Sequence, residues 1–212
     1  MYTLKQRKQR AKIIIAELKK LFPEAKTVLN YSNPHELLFA VILSAQCTDK
    51  LVNKVTANLF QKYKTLDEYA AADPAEFEKD ISSVNFYRNK AKNILATAKL
   101  LKEKYNGKVP EKMDDLLSLP GVARKTANVI MASVYNNAEG VVVDTHVRRI
   151  SKVYGLTEHE DPVKVEKDLM EILPKEEWRD FSFRVIDYGR AYCTAKPHDH
   201  ANCPLVKVLS SV

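Results

Sequence analysis

The chain has 212 residues, 45% hydrophobic and 29% charged, enough apolar matter for a real core in one domain or two small ones. Lysine and arginine outnumber the acids 34 to 27, and the resulting net charge of +7 favours a polyanionic partner. With no long apolar anchor, that partner is nucleic acid rather than membrane, and three cysteines that cannot all pair with one another fit a reduced, cytoplasmic setting.

From the N-terminus, the first twelve residues are basic and polar and do not read as a secretory signal. Ile14, Leu18, Leu21 and Phe22 recur at helical spacing, while Lys5, Arg7, Lys8, Arg10 and Lys12 read as a solvated face. Asn33-Pro34-His35-Glu36 places a capping residue, a first-position proline and an acid at the third position. It opens a helix whose apolar run, Leu37 to Leu43, is too short to span a bilayer and reads as buried. His35 reads as a surface or helix-start residue, and Asp49 can cap a helix beginning near Lys50. Thr65-Leu66-Asp67-Glu68 is a capping box, and Asp73-Pro74-Ala75-Glu76 repeats the proline signal. Phe86 lies between Asn85 and the polar Arg88-Asn89-Lys90, which argues for exposure over core packing. Val141 to Val143 is the only strand-like run, and three residues make no sheet. Asp144 can cap a helix from Thr145 to Tyr154, and Asp161-Pro162 opens another. Gly107, Gly155 and Gly189 each end a helical pattern, with no glycine inside a helix. The fold class is all-α.

The most informative stretch runs from Met113 to Tyr135. A short helical pattern, Met113 to Leu117, leads into a tight hairpin, Leu119 to Val122, where Gly121 can take a positive φ. A second helix follows from Lys125 to Tyr135. Helix, hairpin and helix together can aim backbone N–H groups at one phosphate, the anion site that helix N-termini provide. Leu119, Gly121, Ala123, Arg124 and Thr126 are therefore candidate DNA contacts. Lys125 sits in the first turn of the second helix, where the dipole disfavours an ammonium and so suits an amine nucleophile.

The hairpin, Lys125 and Asp144 at this separation resemble the endonuclease III family of helix-hairpin-helix DNA glycosylases. Asn33 to Leu38 leading to Leu43-Ser44-Ala45-Gln46-Cys47-Thr48-Asp49, the segment Phe86 to Ala91, and Tyr188-Gly189-Arg190 with Cys193 extend the resemblance from about Leu18 to Pro204. It implies a two-lobed fold, with a central helical domain at 27–137 and a second lobe made of 1–26 and 138–212. DNA would enter a cleft between them, with Lys125 and Asp144 facing each other across its mouth. By the same resemblance Lys125 is the nucleophile and Asp144 its carboxylate partner, while Gln46 fills the space left by a flipped-out nucleotide. Phe86 takes the place of an apolar wedge, and Ser44, Asp49 and His146 lie near the pocket.

The implied activity is a bifunctional glycosylase and abasic-site lyase, acting as a monomer on oxidised pyrimidines in duplex DNA. The competing readings are a mismatch-directed glycosylase of the same superfamily and a non-catalytic DNA-binding hairpin. Asn85 stands where relatives carry glycine, and it would have to tolerate a left-handed turn. Ala123 replaces a second hairpin glycine, which is acceptable if that position is already helical. The family's C-terminal loop spaces four cysteines C-x6-C-x2-C-x5-C for a [4Fe–4S] cluster, and here those places hold Cys193, His200, Cys203 and Leu209. The expectation is that the cluster is lost, that no metal replaces it, and that Pro197, Pro204 and Leu205 hold the loop by packing. A zinc set of Cys193, His198, His200 and Cys203 is disfavoured by the single residue between its histidines.

Overall fold

A computed structural model describes residues 2–24 and 26–210, and all structural statements refer to these. The described residues form α-helices and two 3-10 turns, with no strand. In chain order the helices are α1 (Leu4–Leu21), α2 (Pro34–Ser44), α3 (Asp49–Lys62), α4 (Leu66–Ala71), α5 (Pro74–Asp80) and α6 (Tyr87–Tyr105). There follow α7 (Met113–Leu117), α8 (Arg124–Val134), α9 (Thr145–Val153), α10 (Pro162–Ile172), α11 (Trp178–Ala191) and α12 (Pro204–Leu209). No helix among the described residues is long and apolar enough to cross a membrane. The chain divides into two compact units, 28–135 and 1–27 with 136–212.

The unit built from both chain ends packs α1 against α10, α11 and α12. The apolar stripe of α1 does this, with Ala11, Ile14 and Leu18 fully buried. Its basic side is only partly a solvated face. Arg7 Nε donates to Leu156 O at 2.8 Å and its guanidinium pairs with Asp168 at 3.3 Å. Arg10 Nε donates to Tyr154 O at 2.9 Å and stacks over Tyr2. These two arginines satisfy backbone carbonyls, a role that the local sequence does not disclose because the partners lie far along the chain.

Gly189 does not end a helix. It lies inside α11, and a methyl group there would stand 2.6 Å from His146 Nδ1 and 2.8 Å from Ile150 Cδ1. The glycine lets α11 approach α9 closely, and this packing need outweighs the helical cost of glycine. Behind that contact Tyr154 and Tyr188 share a hydroxyl–hydroxyl bond of 2.9 Å, and the Tyr188 hydroxyl accepts from Leu205 N at 3.2 Å. Burial raises both phenols, Tyr188 to about 12, so each stays a neutral donor and acceptor near neutral pH.

The unit 28–135 is organised by α2. Every residue from Glu36 to Leu43 is buried, and α3, α6 and α8 surround the helix. Asn33 caps its start, its side chain accepting from Glu36 N at 3.0 Å, and the capping box at Thr65 and the N-cap at Asp73 form as their sequences imply. His35 is the second residue of α2, as the helix-start reading implies, and is half-buried: it packs on Phe39 and Tyr69, and burial lowers its affinity for a proton. The cap of α3 is Thr48, whose hydroxyl accepts from Leu51 N at 3.3 Å, so Asp49 is the first helical residue instead of the cap.

The C-terminal end of α2 is held by a side chain from another helix. Lys90, buried near the start of α6, donates from Nζ to Leu43 O at 2.8 Å and Ala45 O at 2.6 Å. A basic group at a helix C-terminus satisfies orphan carbonyls and complements the dipole. Lys90→Met keeps the buried stem and leaves those carbonyls unmatched. It should cost about 1–3 kcal/mol, and a protein of this size should lose roughly 2–4 °C of Tm per kcal/mol. Thermal melts that coincide with wild type would remove Lys90 from this role.

Candidate functional site

The hairpin between α7 and α8 is fixed from within and open on its outer side. Val122 N donates to Leu119 O at 3.1 Å, and Thr97 Oγ1 donates to Pro120 O at 3.0 Å. Leu119 and Val122 are buried, so their side chains anchor the turn and Leu119 can meet a ligand only through its backbone. Gly121 has φ +77°, and an added methyl would stand 2.9 Å from the Asn93 side chain. Ala123 is extended at φ −96°, ψ 169°, and is the N-cap of α8, not a helical residue; no positive φ is needed, which is why alanine serves there. No side-chain hydrogen bond from Ala123 caps α8, and a helix start of this kind offers backbone N–H donors to an anion. Ala123, Arg124 and Lys125 are exposed on that end and Thr126 is half-buried.

A second exposed feature lies on the same unit. Gln46 follows α2 with φ 56°, and Phe86 precedes α6 with φ 58°, both in the left-handed region that side chains resist. Phe86 is 64% exposed, as its polar neighbours imply. The left-handed residue is Phe86 itself and not Asn85. Asn85 instead ties the two turns together: its Nδ2 donates to Gln46 O at 2.7 Å and its backbone N–H reaches Cys47 Sγ at 3.3 Å. A glycine there could make no side-chain bond. Lys90 supports the same turn through Ala45 O and Cys47 Sγ, at 3.5 Å for the sulfur. Sequence reading took Lys90 as part of a polar run. Its spacing with Ile94, Ala98 and Leu101 puts it on the buried face of α6, the signal that could have found it. Ser44 ends α2, its hydroxyl donating to Val41 O at 2.9 Å, and half-buried Asp49 opens α3.

On the other unit Asp144 is half-buried at the N-cap of α9, Oδ1 accepting from Val147 N at 2.8 Å. His146 sits in the first turn of α9, its ring against Gly189. The three consecutive valines before it, Val141 to Val143, are buried and fix the entry into Asp144.

The C-terminal loop differs most from expectation. Cys193, His198, His200 and Cys203 bring their ligand atoms within 4.8 Å of one another, a group that could hold a metal ion. The single residue between the histidines is no obstacle, because the segment is irregular up to a 3-10 turn at His200–Asn202. Arg149 Nη2 donates to Cys193 O at 2.6 Å, and Asp199 accepts from Ala201 N at 2.9 Å, holding the two ends of the loop. Of the three residues expected to pack it, Leu205 is buried and Pro204 starts α12, but Pro197 is exposed. Two thiols and two imidazoles do not supply the four thiolates of a [4Fe–4S] cluster, and Leu209 has no donor atom.

Comparison with known proteins agrees with this arrangement. Residues 39–175 match the family described as HhH-GPD superfamily base excision DNA repair protein. Endonuclease III of Synechocystis is 48% identical over 205 residues, covering 97% of this chain and 94% of that protein. Endonuclease III of Bacillus subtilis is 49% identical over 189 residues, covering 89% and 86%. A solved structure of a trapped endonuclease III–DNA covalent intermediate superimposes with a TM-score of 0.89 at 46% identity, covering 98% of this chain and 96% of that one. A thermostable thymine-DNA glycosylase, at 20% identity and a TM-score of 0.77, shares the fold. A helical chain with an uncapped helix behind a glycine hairpin, alike over nearly its whole length to these enzymes, belongs to the endonuclease III family of the HhH-GPD superfamily.

Proposed function

We infer that this chain is a bifunctional DNA glycosylase and abasic-site lyase of base excision repair, removing oxidised pyrimidines from duplex DNA. The observation that carries the reading is an exposed lysine, Lys125, at the second position of an uncapped helix directly behind a glycine hairpin. The relatives named endonuclease III, and the covalent DNA intermediate solved for one such enzyme, support it. The monomer works on chromosomal DNA in the cytoplasm.

The damaged nucleotide is flipped out of the stack, since its C1′ is out of reach inside a duplex. Gln46 fills the vacated space and Phe86 wedges beside it, while the α8 N-terminus and hairpin backbone hold a phosphate. Lys125 Nζ attacks C1′ with its lone pair, and the base departs with the electrons of the C1′–N bond and takes up a proton. Loss of an amine proton and opening of the sugar ring give an iminium. That iminium acidifies the C2′ proton, so elimination breaks the C3′–O bond and cuts the strand on the 3′ side of the lesion. Positive charge builds on the sugar in the first step, as in glycoside cleavage, and Asp144 stabilises it or accepts the lysine proton. Ser44, Asp49 and His146 shape the pocket. No iron–sulfur cluster takes part, its four thiolate positions being reduced to Cys193 and Cys203.

Borohydride reduces an iminium, so wild type should become covalently linked to DNA bearing an abasic site or an oxidised pyrimidine. Lys125→Gln should abolish this trapping while duplex binding persists; trapping at the wild-type level would place the nucleophile elsewhere. Asp144→Asn keeps a good N-cap residue, so Tm should hardly move. Single-turnover excision should nevertheless fall by about 10²-fold or more, and an unchanged rate would reduce Asp144 to a helix cap.

Affinity for undamaged duplex should fall steeply and linearly on a log–log plot against salt, because lysines and arginines displace condensed counterions. Arg7 and Arg10 are engaged within the protein, so the slope should reflect fewer charges than a count of basic residues suggests. A flat titration would show that the net charge of +7 is not directed at DNA.

A further inference from the structure

We propose that Cys193, His198, His200 and Cys203 bind one zinc ion in a closed, tetrahedral, structural site that fastens the C-terminal loop. The inference stands on the geometry of this loop and is independent of the lyase reading. All four donor atoms lie within 4.8 Å of one another, so they converge on one point. Cys193 Sγ is 3.9 Å from His200 Nδ1, and Cys203 Sγ is 3.5 Å from His198 Nε2. With Zn–S near 2.3 Å and Zn–N near 2.0–2.1 Å, a tetrahedron has sulfur–nitrogen edges of about 3.5 Å. The Cys203–His198 separation of 3.5 Å already meets that figure, and the Cys193–His200 separation of 3.9 Å is close to it.

A second observation concerns the tautomer. His198 Nδ1 is 2.9 Å from Lys196 O, an acceptor only, so the ring proton belongs on Nδ1 and the lone pair on Nε2. Nε2 is the nitrogen that faces Cys203 Sγ. A ligand histidine whose other nitrogen donates to a carbonyl is the usual supporting arrangement of a metal site. Both cysteines are buried, and Arg149 holds the Cys193 carbonyl.

The same donor set can also serve a two-iron cluster, with both cysteines on one iron and both histidines on the other. Here Cys193 meets His200, Cys203 meets His198, the two imidazole rings lie 4.2 Å apart, and all four donor atoms share one space within 4.8 Å. Donors that converge so closely suit a single centre, because the cysteine pair and histidine pair of a two-metal cluster point away from each other on opposite irons. Four protein donors leave no open position, so the ion would hold the loop and take no part in chemistry.

Full-length protein purified without chelators should contain about one zinc per chain by elemental analysis, with no stoichiometric iron. X-ray absorption at the zinc edge should show two sulfurs at about 2.3 Å and two nitrogens at about 2.0–2.1 Å. The double variant His198→Ala/His200→Ala should lose at least ten-fold in zinc content, while His159→Ala, outside the loop, should keep it. A strong chelator should lower Tm, and added zinc should restore it. Folded wild-type protein without stoichiometric zinc, an iron–sulfide chromophore, or full zinc retention by the folded double variant would each overturn the proposal. If that variant does not fold, the X-ray absorption of wild type decides alone, and a shell other than two sulfurs and two nitrogens refutes the site.

Discussion

The unit 28–135 depends on one constraint: α2 is apolar on every face from Leu37 to Leu43 and must be covered on all sides. A helix of that kind cannot lie on a surface, so α3, α6 and α8 are drawn around it. Its two ends then emerge from a water-poor interior carrying unmatched backbone groups. Asn33 answers the first end and Lys90 the second. Because Lys90 belongs to α6, the solution at the end of α2 also fixes where α6 begins. The turns at Gln46 and Phe86 come to lie together as a consequence, linked by Asn85.

The same division of labour recurs at the hairpin. Leu119 and Val122 point inward and hold the turn, which frees the backbone beyond them to face a ligand. Buried side chains set position, and under the proposed reading the exposed main chain with a few polar groups does the binding. A phosphate grip of this sort is indifferent to base sequence, which suits a protein that must meet damage anywhere. At the C-terminal loop buried cysteines are again the anchors, with the histidines nearer the surface.

Much of this was legible in the sequence because its causes are local. Caps at Asn33, Thr65, Asp73, Asp144 and Asp161 depend on residues three apart, and all five form. The positive φ of Gly121 and the exposure of Phe86 follow from immediate neighbours in the same way. What escaped depends on partners distant in the chain. Gly189 looked like a helix end because nothing nearby reveals that α9 presses on it. Arg7 and Arg10 looked solvated because their carbonyl acceptors lie at Leu156 and Tyr154. His198 and His200 looked badly spaced because finger spacing assumes regular structure between ligands, and this loop has little. Gln46 and Phe86 were picked out by family resemblance; their backbone conformation was not foreseen.

That conformation bears on how the protein can change over time. A side chain in the left-handed region costs roughly 1–2 kcal/mol relative to the right-handed one, and glycine escapes nearly all of it. Gln46 and Phe86 therefore sit where glycine would make a more stable protein. Under the proposed reading those two side chains enter the duplex, and glycine would leave nothing to insert. Selection for thermal stability alone should drive both positions toward glycine, and selection for repair should hold them back. Under that reading, a glutamine and a phenylalanine in such unfavourable backbone mark a trade of stability for activity.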